Sequence, residues 1–320
     1  MTTPASTDPP LGVEGNCNMG GGPPSQGEGP EEVEGTITYV RLVLGCSSDI
    51  FIMDANGDNA RALADDVVLG DESDLSPDGT TVAFFSGRTG TTLIYTIRTD
   101  GSDLRQLTQG DGAEASPRWS PDGSQIAFSR GGNILVMSPD GTGVRTVMQS
   151  VSASTKEACR VGSIVGDWSP DGEQILYYSA IISGEGNTFW ICVVDVRTGE
   201  VEVLVSQPEG ALHAEPHWSP DGTKIAFRDD RGTIQGCNTS GGICDYEIFV
   251  LDLETGEEAN ITNNPAFDIE PVWSPDGEWI VFASNRDDRN FDLYIMRPDG
   301  TDVQRILNDP ESKDSYPSWQ

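Results

Sequence analysis

Histidine is nearly missing from this chain: 320 residues contain two, His213 and His217. Lysine is almost as scarce, with only Lys156, Lys224 and Lys313 among 19 basic residues that face 52 acidic ones. The formal net charge is -33. A chain this negative cannot displace counterions from phosphates, which excludes nucleic acid as a partner, and anionic membrane surfaces repel it. No run reaches the roughly 18–20 apolar residues that span a bilayer, so direct membrane insertion is excluded too. The six cysteines, Cys17, Cys46, Cys159, Cys192, Cys237 and Cys244, include no CxxC pair, which argues against zinc ribbons and thioredoxin-like chemistry. Their even number and an acidic, loop-rich chain favour disulfides and a location outside the cytoplasm: periplasmic, cell-surface or secreted. The acidity itself fits either salt adaptation or the solvated surface of an exported protein.

What is abundant is turn chemistry, with 37 Gly and 20 Pro. Residues 1–34 hold 13 of these and no Lys or Arg. They cannot bury enough apolar surface to offset their ordering entropy and read as a disordered acidic linker. They have neither the basic start nor the apolar stretch of a signal peptide.

From residue 35 onward one unit repeats. Directly after a Trp or Leu, Ser-Pro-Asp-Gly begins at Ser76, Ser120, Ser169, Ser219 and Ser274, at spacings of 44, 49, 50 and 55 residues. Trp119, Trp168, Trp218 and Trp273 precede four copies and Leu75 the first. Proline sets φ at the second turn position, and glycine relieves crowding at the fourth. An apolar strand follows each copy (TTVAFFS, SQIAFSR, EQILYYS, TKIAFRD, EWIVFAS), then a second strand, a DG or TG turn and a third strand. Each repeat thus supplies four antiparallel strands, A to D, with the tryptophan on A. A lone four-stranded sheet leaves both faces uncovered, whereas radial stacking covers them, which predicts an all-β propeller. Gly35–Leu63 matches strands B to D without an A, and Ser315–Gln320 matches A and stops. The two ends complete each other. The expectation is a six-bladed ring over residues 35–320, closed by pairing of the C-terminal strand with the N-terminal blade, and a monomer.

The pattern PxWSPDGxxIAF…IYxMxxDGxxxxxLT resembles the WD40-like (PD40) repeat of TolB-type six-bladed propellers, and it covers the whole of 35–320. The resemblance implies the fold and, for function, a non-enzymatic scaffold binding a protein or ligand. Similar propellers accompany the catalytic domain of prolyl oligopeptidase-type peptidases, but no GxSxG elbow occurs here. Oligogalacturonate lyase is a third relative, a propeller enzyme with histidines at a metal site. A detached peptidase propeller and a lyase-like glycan enzyme are therefore the alternatives.

Alternating strand direction puts the Ser-Pro-Asp-Gly and Asp-Gly turns on one face and the longer B–C and D–A loops on the other. Variable loops on a rigid frame are the usual place for recognition. The cysteines fall at this loop end, with Cys237–Cys244 the first candidate pair and Cys159–Cys192 and Cys17–Cys46 the others. Counting back from the tryptophan position, the residues at −5 and −3 are expected to ring the mouth of the central channel. They include Glu72, Glu114, Glu215, Asp268, Glu270 and Asp314 and no Lys or Arg. An acidic funnel of this kind would draw a cation or a basic peptide.

Both histidines flank Glu215 in His213-Ala-Glu215-Pro-His217. They are candidate binding residues at this mouth, and the lyase reading would use them. No catalytic or metal-ligating set is assigned and no cofactor is called for. Asp54-Ala-Asn-Gly-Asp58 has the acid spacing of a calcium loop but lacks its twelfth-position glutamate and flanking helices, and it aligns with an ordinary C–D turn.

Overall fold

The computed structural model describes residues 25–26, 29–30, 33–43, 48–67, 72–110, 112–151, 158–183, 186–206, 213–230, 246–287, 290–309 and 312–320. Six four-stranded antiparallel sheets follow one another along the chain. Their inner strands are Ser312–Trp319, Ser73–Leu75, Glu114–Trp119, Ile164–Trp168, His213–Trp218 and Asp268–Trp273, for blades 1 to 6 in that order. Blade 1 joins the two ends of the chain. Ser312–Trp319 pairs with Thr36–Val43, running from Ile37 opposite Trp319 to Val43 opposite Ser312. Sequence complementarity between the ends is thus realised as ring closure.

Each middle strand is covered on both sides. In blade 6, Ile280–Ser284 and Asp292–Met296 are buried at every position, the near-continuous burial of a sheet sandwiched between neighbours. Six separate apolar clusters result, one at each blade junction. The cluster at the closing junction combines Ile37, Tyr39 and Met53 of blade 1 with Val281, Leu293 and Ile295 of blade 6. It also takes in Val33, and the Trp319 indole N–H donates to the Glu34 carbonyl at 3.2 Å. Ser25–Gln26 pairs with Leu307–Asn308 beside blade 6. The end of the segment read as a linker therefore lies against the ring.

The five Ser-Pro-Asp-Gly turns that follow the inner strands are nearly identical. In the first, Gly79 N–H donates to the Ser76 carbonyl at 2.8 Å, the Ser76 hydroxyl donates to Asp78 Oδ1 at 2.6 Å, and the Thr81 N–H donates to Ser76 Oγ at 3.0 Å. The glycines hold φ between 68° (Gly79) and 73° (Gly277), the left-handed region in which a side chain is strained. Asp54–Asp58 is likewise a self-bonded turn, with Asn56 Nδ2 donating to Asp58 Oδ2 at 2.9 Å and Asn59 Nδ2 to Asp54 Oδ2 at 2.6 Å.

Blade 4 has the longest hairpin, Gln174–Ser183 against Gly186–Asp195. Cys192 on its second strand and Cys159, in the segment before the inner strand, both fully buried, form a disulfide with their Cα atoms 5.9 Å apart. Cys17, Cys46, Cys237 and Cys244 lie outside the described residues.

Candidate functional site

The −5 and −3 positions do not share a direction. In blade 3, Ala115 pairs with Ser129 and Arg118 with Ala127, so three steps on strand A match two on strand B. Blades 1, 5 and 6 carry the same irregularity. The extra residue is a bulge. Its first member, at −3, has positive φ: Ser116 52°, Glu215 55°, Glu270 58° and Tyr316 52°. Proline follows in each case, and proline cannot donate to the ladder anyway. A bulge inverts the alternation of side chains on either side of it, so parity counted back from the tryptophan fails beyond −3.

The acids at −5 consequently leave the channel. Glu114, Asp268 and Asp314 are almost fully buried and face arginines near the end of strand B. Arg41 grips Asp314 through Nε and Nη2, both at 2.8 Å. Arg286 Nη2 reaches Asp268 Oδ1 at 2.9 Å, and Arg130 Nε reaches Glu114 Oε1 at 2.8 Å. Each guanidinium also sits over an aromatic ring of its own blade: Phe51, Phe282 and Phe128. These three expected mouth residues are braces within the sheets, a correction to the sequence reading. His213 begins the inner strand of blade 5 opposite Asp229.

The −3 acids do converge on the axis. Glu72, Glu215, Glu270, Tyr316, Arg118 and Tyr178 surround a cavity of about 30 Å³, closed further along by His217, about the space one water fills. The carboxylates here have partners that the spacing did not reveal. Glu215 Oε2 accepts the Glu270 N–H at 3.0 Å, and Glu270 Oε2 accepts the Tyr316 N–H. Each acid thus ties its own blade to the next. Glu215 Oε1 also meets Arg228 Nη2 at 3.1 Å, and Glu72 Oε2 meets Arg118 Nη2 at 3.1 Å. The same stitching recurs at −1: Asp74 Oδ2 accepts the Trp119 N–H at 2.6 Å, and Asp167 Oδ2 accepts the Trp218 N–H at 2.9 Å. Arg118 Nε donates to the Gly166 carbonyl at 2.7 Å. Gly166 is required there, because a Cβ would stand 2.5 Å from the Pro216 carbonyl oxygen.

Burial governs the protonation of this cluster. It pushes the Glu270 carboxyl well above the ordinary carboxylate range, helped by the nearby Glu215 charge and opposed by the Tyr316 N–H and Arg228. Burial also raises Glu215, against the pull of Arg228, and Asp74, against Arg118. For Arg118, burial works against the charge, yet Glu72, Asp74 and Asp167 hold its pKa raised. With two arginines among three glutamates, one of them driven toward its neutral form, the axis is a charge-balanced knot and not the open acidic funnel expected. Arg118 and Arg228 are the functional-site residues missed from sequence. For the misplaced acids at −5, the proline at −2 was the available signal, since it marks the bulge.

His217 Nδ1 lies 3.3 Å from Asp167 Oδ2 and 3.2 Å from the Trp218 carbonyl oxygen. Among the described residues no three His, Cys, Asp or Glu side chains converge as metal ligands, and no helix is long and apolar enough to cross a membrane.

Comparison with known proteins gives one family. The chain matches the TolB β-propeller domain, PD40, over residues 35–158 and 163–320. It is 28% identical to the uncharacterized peptidase YuxL of Bacillus subtilis, over 69% of this chain and 31% of that one. It is also 28% identical to a TolB homolog of Chlorobium luteolum, over 70% of this chain and 46% of the relative. It therefore spans less than half the length of either relative. The crystal structure of TolB from Acinetobacter baumannii superimposes with a TM-score of 0.70 at 22% identity, covering 89% of this chain and 66% of that one, a likeness of fold. With six PD40 blades closed by its own C-terminal strand, the chain belongs to the TolB β-propeller family.

Proposed function

We propose that this propeller is a non-enzymatic binding scaffold that works outside the cytoplasm and engages a protein partner through the loop face around its axis. The observation that carries the reading is how the axial carboxylates are used. Raised carboxyls in a cavity are the usual mark of an acid–base site. Here Glu215 and Glu270 spend an oxygen each on a neighbouring blade's backbone N–H, and Glu72 pairs with Arg118. They hold the ring rigid and leave recognition to the loops it carries. The buried Cys159–Cys192 disulfide supports an oxidising compartment. The peptidase in one relative's name supports a competing reading, a propeller that serves a catalytic chain, but this chain spans 31% of that relative.

A photo-crosslinking residue at position 72, beside the axial cavity, tests the proposal against the same residue at position 203, on the outer strand of blade 4. The expected result is a discrete protein adduct from an extracytoplasmic fraction at 72 and none at 203. Absence of an adduct at 72 would overturn the proposal. So would cleavage of polyuronates or peptides by the purified chain that is lost in His217→Ala.

A further inference from the structure

The opposite end of the axis has a different character. It opens into a cup of about 250 Å³ lined by Trp119, Trp168, Trp218, Trp273 and Trp319. Five exposed prolines, Pro77, Pro121, Pro170, Pro220 and Pro275, form its rim, with Gln320 at the sixth place. Successive turns touch: a Cβ added at Gly277 would stand 3.2 Å from Pro220, and one at Gly222 3.7 Å from Pro170. The rim is therefore a collar of five closely spaced prolines. Within the cup wall, Trp218 and Trp273 are 7% and 4% exposed.

Outside the prolines stand Asp78, Asp122, Asp171, Asp221 and Asp276, all exposed. The turn itself consumes one oxygen of each: Oδ1 accepts the serine hydroxyl at 2.6–2.7 Å. In Asp78, Asp171, Asp221 and Asp276 the second oxygen has no partner among the described residues. The collar thus presents fixed, outward-facing carboxylate oxygens around an apolar depression. The volume falls below the roughly 300–1,000 Å³ of small-molecule pockets, which points to one anchoring side chain from a larger partner.

We propose that this collar is a second docking surface, for a protein partner that presents a cationic segment with one bulky apolar side chain. The apolar chain fills the tryptophan–proline cup, and flanking Lys or Arg residues meet the free aspartate oxygens. Complementary charge steers the encounter and makes it salt-sensitive. The surface lies at the other end of the axis from the loop face and stands independently of it.

The probe is a fluorescein-labelled nine-residue peptide of lysine, arginine and proline with one central leucine, followed by anisotropy. The test variant combines Asp171→Asn, Asp221→Asn and Asp276→Asn. Asparagine keeps the turn's side-chain acceptor and removes three charges. The control combines Asp100→Asn, Asp140→Asn and Asp299→Asn, which removes three charges from the C–D turns of the same face. The expected result is at least about tenfold weaker binding for the test variant, under about threefold for the control, and at least about tenfold loss when the peptide's leucine becomes glycine. Equal losses in test and control would overturn the proposal, because binding would then follow diffuse negative charge. So would a peptide indifferent to leucine, which needs no protein variant to detect, or one that the native protein does not bind.

Discussion

The Arg41–Asp314 pair should be the chemical lock of the ring. It joins strand B of the N-terminal blade to the strand contributed by the C-terminus, at a point where Asp314 is 0% and Arg41 5% exposed. Removing one partner of a buried ion pair leaves an uncompensated charge and costs about 3–5 kcal/mol. Asp314→Leu belongs at the lower end of that range, because Arg41 keeps Asp309 at 3.2 Å and its stacking over Phe51. Arg41→Met belongs at the upper end, since Asp314 then has only the Ser312 hydroxyl, at 3.5 Å, and the stacking is lost as well. An unfolding entropy of about 2 cal/mol/K per residue gives about 0.6 kcal/mol/K for a ring of this size, so the losses correspond to about 5–8 °C in Tm. The double variant Arg41→Met/Asp314→Leu replaces the pair by apolar groups and should recover most of the loss. Tryptophan-fluorescence melts and urea titrations of the four proteins would measure the coupling. If Asp314→Leu lies within about 1 kcal/mol of the native protein, or the double variant equals the sum of the singles, the pair does not hold the closure.

Three further outcomes are expected. Glu270→Gln keeps an acceptor for the Tyr316 N–H but cannot titrate. Because burial raises the native carboxyl, the folded state holds that proton more tightly than the unfolded chain does. Native stability is therefore fullest below the unfolded pKa and falls as pH rises through the folded one. The variant's advantage in urea titrations should grow from about pH 5 to about pH 8, and a pH-independent difference would contradict the assignment. Reduction of Cys159–Cys192, which closes a separation of 33 residues, should cost about 3–4 kcal/mol, read as a reductant-dependent fall in Tm. Ser116→Gly removes a strained left-handed serine and a buried hydroxyl without a partner among the described residues. Set against the entropy of a new glycine, it should stabilise by about 1 kcal/mol in the same melts.

The ring was legible because a repeat displays its own boundaries: five Trp- or Leu-preceded Ser-Pro-Asp-Gly copies and two complementary ends leave little choice of architecture. The mouth was half legible. Glu72, Glu215 and Glu270 reach the axis as their −3 position suggested, whereas Glu114, Asp268 and Asp314 do not, because the bulge before each proline breaks the alternation on which the count relied. The neutralising role of Arg118 and Arg228 was hidden for another reason. Arg118 sits at an ordinary −1 position and Arg228 on a different strand, and only the closed ring brings them to the axial glutamates. Of the cysteine pairs, Cys159–Cys192 forms, while Cys237, Cys244, Cys17 and Cys46 lie outside the described residues.

The closing pair also determines how the domain would bear mechanical load. Thr36 and Gln320 exchange hydrogen bonds at 2.6 and 3.0 Å, so both ends of the ring leave blade 1 from the same edge of one antiparallel pair. Ladder bonds in such a pair lie perpendicular to the strands. Tension drawn through the two ends therefore pulls along the bonds and opens them one rung at a time from Ile37–Trp319, as in peeling and not in shear. The Ser25–Gln26 rung and the buried Val33 stand in series ahead of that peel on the N-terminal side. A tether on the tail would meet those contacts first, and their yielding would set the force at which the ring begins to open.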